Sequence, residues 1–127
     1  MSHHLLALSV AGCSIAPPPP EPDPAQGGYR QEGKLVLPDP AQLAACVSQE
    51  VPGTVVVLRQ AGAAVRPVAG SVLPGHTPDF ALVVDQPPRS PLVWRVLVAE
   101  SGPAAEPIAR ALDRALGDCA ARLGRTP

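Results

Sequence analysis

Phe80-Ala81-Leu82-Val83-Val84 and, beyond the turn Gln86 to Pro91, Leu92-Val93-Trp94-Arg95-Val96-Leu97-Val98 are the stretches on which the fold turns. Both are short, apolar and rich in β-branched residues, and both are bounded by prolines, so they predict an antiparallel hairpin. In the second stretch Leu92, Trp94, Val96 and Val98 share one face and Val93, Arg95 and Leu97 the other. The charge at Arg95 marks the latter face as partly wet, leaving the Trp94 face for the core.

Upstream, Thr54-Val55-Val56-Val57-Leu58-Arg59 predicts a further strand, with a turn at Gly62. Ala64 to Val72 predicts a weaker one, because Pro67 lacks an amide for the ladder and Gly70 suits a bulge. Ser71 to Pro78 reads as a loop. A one-faced sheet needs helices, and two are expected. In the first, Asp39 caps, Pro40 opens, and Leu43, Cys46 and Val47 fall on one side before Pro52-Gly53 ends it. The second starts between Pro103 and Pro107 and runs to about Leu123, with an apolar stripe of Ile108, Leu112, Ala115, Leu116, Cys119 and Leu123. Gly117 is expected to let this helix approach the sheet closely. Leu35-Val36-Leu37 is a short strand or an extended lead-in. The expected architecture is a two-layer α+β domain over residues 35–125, ordered helix, four antiparallel strands, helix, with both helices on one sheet face.

Composition limits what such a domain can be. One Tyr, one Phe and one Trp among 127 residues leave the core to Val, Leu, Ala and Ile. A net charge of −1 and the lack of basic residues interleaved with aromatics argue against a nucleic-acid surface. Ahead of the domain, Pro17-Pro18-Pro19-Pro20-Glu21-Pro22-Asp23-Pro24 cannot donate the bonds of a helix or sheet and reads as polyproline II. At 3.1 Å per residue it makes a stiff spacer of about 25 Å. Residues 13–34 are therefore read as a tether.

The start of the chain says where the tether leads. Val10-Ala11-Gly12-Cys13 closes the apolar run Leu5 to Ala11 and resembles the lipobox of bacterial lipoproteins. The resemblance implies a signal peptide over residues 1–12, cleavage before Cys13, and a diacylglyceryl group on the Cys13 thiol. Small side chains at Ala11 and Gly12 suit a narrow peptidase site, and only a thiol supplies the nucleophile for lipid transfer. Ser14 after the lipidated cysteine goes with outer-membrane sorting in Gram-negative members of the class. The rival reading is a cytosolic domain, with Leu5 to Ala11 a buried strand and Cys13 a core thiol.

An exported protein folds in an oxidising compartment. Cys46 and Cys119 lie on the buried stripes of helices expected on the same sheet face, so a disulfide between them is predicted. The chain-entropy model gives roughly 4 kcal/mol for a loop of that length. No Cys-x-x-Cys or His-x-x-x-His spacing exists to place a metal, and no cofactor is expected. His76, Thr77 and Asp79 share a loop, and Ser71 or Ser90 offers a hydroxyl, but no Gly-x-Ser-x-Gly elbow surrounds either serine. A small envelope hydrolase using the His76 loop is the alternative from the enzyme class; the reading preferred is a non-catalytic binding or assembly module. Arg59, Arg66, Arg89 and Arg95 outnumber the carboxylates of the strand region and form the candidate binding surface, for an envelope protein or an anionic glycan.

Overall fold

A computed structural model describes residues 28–36, 39–68 and 78–124. Its elements are strand β1 (Tyr29–Leu35), helix α1 (Pro40–Glu50), strands β2 (Thr54–Arg59), β3 (Gly62–Pro67), β4 (Phe80–Asp85) and β5 (Leu92–Val98), and helix α2 (Glu106–Gly124). The strands form one sheet in the order β1-β5-β4-β3-β2, every neighbouring pair antiparallel. The class is α+β, but with five strands where the sequence reading expects four. Tyr29–Leu35 is the extra one, and six of its residues fall in the stretch read as tether.

Physical reasons for β1 are visible in its partner. Its side chains alternate between half-buried and exposed, as an edge strand needs, and it pairs along its whole length with β5 from Tyr29↔Val98 to Leu35↔Leu92. Gly33 stands opposite Trp94, and a Cβ there would come within 2.6 Å of the indole. The ring thus lies over the glycine and fills the space a side chain would have taken.

Helix α1 begins as its residues dictate: the Asp39 carboxylate accepts from the Ala41 amide at 2.9 Å, and Pro40 occupies the first position. It ends at Val51, whose amide reaches the Val47 carbonyl, and Gly53 supplies the positive φ (81°) of the following turn. Helix α1 crosses from the β1 edge to the β2 edge, and the chain then returns strand by strand to β5. Between β2 and β3 only Gln60 and Ala61 intervene, because Arg59 pairs with Gly62. Gly62 also fits tightly against β4: a Cβ there would lie 1.9 Å from the Val84 carbonyl oxygen.

One apolar cluster joins both helices to one sheet face. It contains Leu43, Ala44 and Val47 of α1, Leu112, Ala115, Leu116 and Cys119 of α2, and Val65, Leu82, Val84, Leu92, Val96 and Val98 of the sheet. Trp94 is half-buried against it. Each fully buried Leu or Val contributes about 1.5–3 kcal/mol relative to an exposed one, so this layer carries the domain. On the opposite face Ala64, Ala81, Val83 and Leu97 make a second, smaller apolar patch. Gly117 departs from the reading made of it. It sits on the exposed side of α2 with nothing within 4 Å of where a Cβ would be, so helix-to-sheet distance does not depend on it. No described helix is long and apolar enough to cross a membrane.

Candidate functional site

The most concentrated chemistry lies where the last turn of α1 meets α2. On α1, Cys46 and Glu50 are four residues apart and therefore share a face; on α2, Cys119 and Arg122 are three apart and do the same. Packing of the two helices brings these pairs together. Cys46 and Cys119 are joined, with Sγ–Sγ 2.08 Å and Cα–Cα 5.9 Å, well within what a disulfide spans. Glu50 Oε2 lies 2.9 Å from the Cys119 sulfur and 3.6 Å from that of Cys46. Arg122 lies 3.3 Å from Glu50 through Nη2 and 3.7 Å from the Cys46 sulfur through Nη1. Cys119 is fully buried, whereas Cys46 is only half-buried. The donor atoms of Cys46, Glu50 and Cys119 lie within 4.8 Å of one another, but bonded sulfurs offer no thiolate to a cation.

The arginines of the candidate binding surface differ in their partners. Arg59 and Arg95 both bond Asp85, Arg59 through Nε at 3.1 Å and Arg95 through Nη2 at 3.4 Å. Arg66, only 7% exposed, donates from Nε to the Phe80 carbonyl at 3.0 Å and from Nη2 to Asp79 at 3.0 Å. These three guanidinium groups have internal counter-ions, which lowers the field they present to a ligand. Arg89 differs. It is exposed at the tip of the β4–β5 turn and holds a positive φ of 57°, uncommon for a side chain of its size.

Two open grooves flank this framework. One, of about 560 Å³, is lined by Val36, Gln86, Pro87, Pro88, Arg89, Ser90 and Pro91. Gln86 donates to the Ser90 carbonyl at 2.9 Å, while its own side-chain oxygen is buried without a hydrogen-bond partner. The other, of about 510 Å³, runs between β1 and the start of α2, with Tyr29 and Gln31 on one wall and Glu106, Arg110 and Asp113 on the other. Tyr29 donates to Gln31 across 2.7 Å, and Arg110 pairs with Glu106. Neither groove gathers a nucleophile with a base.

Val10, Ala11, Gly12, Cys13 and Ser14 lie outside the described residues, as do Ser71, His76 and Thr77. Asp79 and Ser90 are described: Asp79 holds Arg66, and Ser90 belongs to the proline-rich turn. Glu50 and Arg122 were not singled out from the sequence, although the four-residue and three-residue spacings to the cysteines carry the signal. Comparison with known protein families, with curated proteins and with solved structures finds no match to this chain.

Proposed function

We propose that this chain is a cell-envelope lipoprotein, anchored through a lipid on Cys13 at the periplasmic face of the outer membrane, whose α+β domain serves as a non-catalytic binding or assembly module. The observation that carries the reading is Val10-Ala11-Gly12-Cys13-Ser14 directly after the apolar run Leu5 to Ala11. A proline-rich tether then holds the domain clear of the bilayer, and a helix-to-helix disulfide suits an oxidising compartment. For a partner, the proline-lined groove beside Arg89 offers apolar walls and an exposed cation. The partner class is an envelope protein or an anionic glycan.

The test is the intact mass of the chain recovered from the membrane fraction of a Gram-negative host. A species lacking residues 1–12 and carrying acyl mass at Cys13 supports the anchor, and Cys13→Ser should release an uncleaved chain. A full-length, unmodified species in the soluble fraction of the unsubstituted protein would overturn it.

A further inference from the structure

The geometry points to the Cys46–Cys119 disulfide as an exchange centre: a site that reacts stoichiometrically with a thiol-bearing partner, Cys46 being the sulfur attacked. This is a covalent capacity beyond the binding role proposed above, and it stands on the sulfur environment rather than on the lipid anchor.

Three features distinguish this disulfide from an inert staple. First, the two sulfurs are unequal in access, since Cys46 is half-buried and Cys119 fully buried. Cys119, with no exposed surface, is closed to an incoming thiolate, which leaves Cys46 as the side from which attack can come. Second, the Glu50 oxygen is within 3.6 Å of both sulfurs, so it sits beside the S–S bond rather than on its extension. In the disulfide that oxygen faces sulfur lone pairs with no hydrogen between them. In the dithiol it accepts a bond from the Cys119 S–H, so the contact favours the reduced form. Third, the Arg122 guanidinium, 3.7 Å from the Cys46 sulfur, is placed to donate to a thiolate there once the disulfide opens, with its ion pair to Glu50 offsetting part of its charge.

The steps balance without any further reagent. A partner thiol gives up its proton and attacks Cys46 Sγ; the new partner–Cys46 S–S bond forms as the Cys46–Cys119 bond breaks. The electron pair leaves on Cys119 Sγ, which takes up the proton, with Glu50 placed to pass it on. A second thiol then attacks the partner's sulfur, forming a partner disulfide and releasing Cys46 as a thiolate beside Arg122. Two thiols are oxidised and one protein disulfide is reduced.

The experiment equilibrates the oxidised full chain with glutathione buffers and reads the reduced fraction by alkylation and mass, with circular dichroism to verify that the fold persists. The folded protein is expected to exchange within minutes at millimolar glutathione, far faster than it unfolds. Cys119→Ser is expected to trap glutathione on Cys46, whereas Cys46→Ser traps none on Cys119. Glu50→Ala, which keeps both cysteines, should shift the equilibrium roughly tenfold toward the disulfide, the worth of one charge-assisted hydrogen bond. A disulfide that opens only at the global unfolding rate would overturn the proposal, as would a Glu50→Ala variant with unchanged rate and equilibrium.

Discussion

Two glycines test the packing argument with opposite signs. At Gly62 a Cβ would meet the Val84 carbonyl oxygen at 1.9 Å and the Asp85 Cα at 2.9 Å, both of them backbone atoms that no rotamer change can move. In Gly62→Ala the start of β3 must therefore separate from the end of β4, costing about 1–3 kcal/mol for the overpacking and about 1 kcal/mol for each ladder bond lost. Asp85 would shift with it and loosen its hold on Arg59 and Arg95. A total loss of about 2–4 kcal/mol follows. At Gly117 nothing lies within 4 Å of a Cβ and the backbone is helical, so Gly117→Ala should gain up to about 1 kcal/mol through helix propensity and a less free unfolded chain. Urea denaturation followed through Trp94, the sole tryptophan, measures both under one condition. A Gly62→Ala variant within about 0.5 kcal/mol of the parent would refute the close approach of β3 to β4, since that is the scale of ordinary surface substitutions. A Gly117→Ala variant that loses stability would refute its placement on the open side of α2.

Other substitutions probe separate parts of the frame. Leu43→Ala removes a fully buried side chain from between α1 and the sheet, and should cost about 2–5 kcal/mol in the same denaturation assay. Asp85→Asn strips the shared counter-ion from Arg59 and Arg95; a loss of roughly 1–2 kcal/mol is expected, shrinking when the titration is repeated in 1 M salt because all three groups are partly exposed. Reducing the disulfide should lower stability by up to about 4 kcal/mol, the chain-entropy value for its loop. That loss should be larger in Glu50→Ala than in the parent, because the carboxylate that favours the dithiol is gone; comparing oxidised and reduced titrations of the two proteins reads the difference.

The central hairpin is legible in the sequence because its two runs are apolar, rich in β-branched residues and bounded by prolines, and because Arg95 marks one face of the second run as wet and leaves Trp94 with three branched neighbours on the other. Both helices are legible for the same kind of reason: Asp39-Pro40 is a start signal with a mechanism, and the α2 stripe repeats at helical spacing. Strand β1 escapes notice because an edge strand needs little apolar content. Tyr29 and Leu35 are its only large apolar residues, and what secures it is backbone pairing to β5 and the indole lying over Gly33, neither of which a sequence displays. The ion-pair partners of the arginines are hidden from the sequence for a related cause. Which carboxylate an arginine meets is set by strand register, and register aligns Asp85 with Gly62 and brings Arg59 and Arg95 to the same carboxylate. Pairing of Glu50 and Arg122 with the cystine, by contrast, was readable from spacing once the two helices were placed side by side.

The disulfide closes a loop from Cys46 to Cys119 that takes in β2, β3, β4 and β5 and leaves β1 outside. Any tension arriving from the N-terminal side of the chain therefore reaches β1 first. That strand has no covalent reinforcement; it resists by its seven residue pairs with β5, the indole over Gly33 and the packing of Tyr29 and Leu35 against the core. Under load β1 would strip away while the rest stays cross-linked, uncovering Trp94 and the β5 edge. The domain is thus built as a reinforced body with a detachable first strand, and its mechanical weak point lies on its N-terminal side.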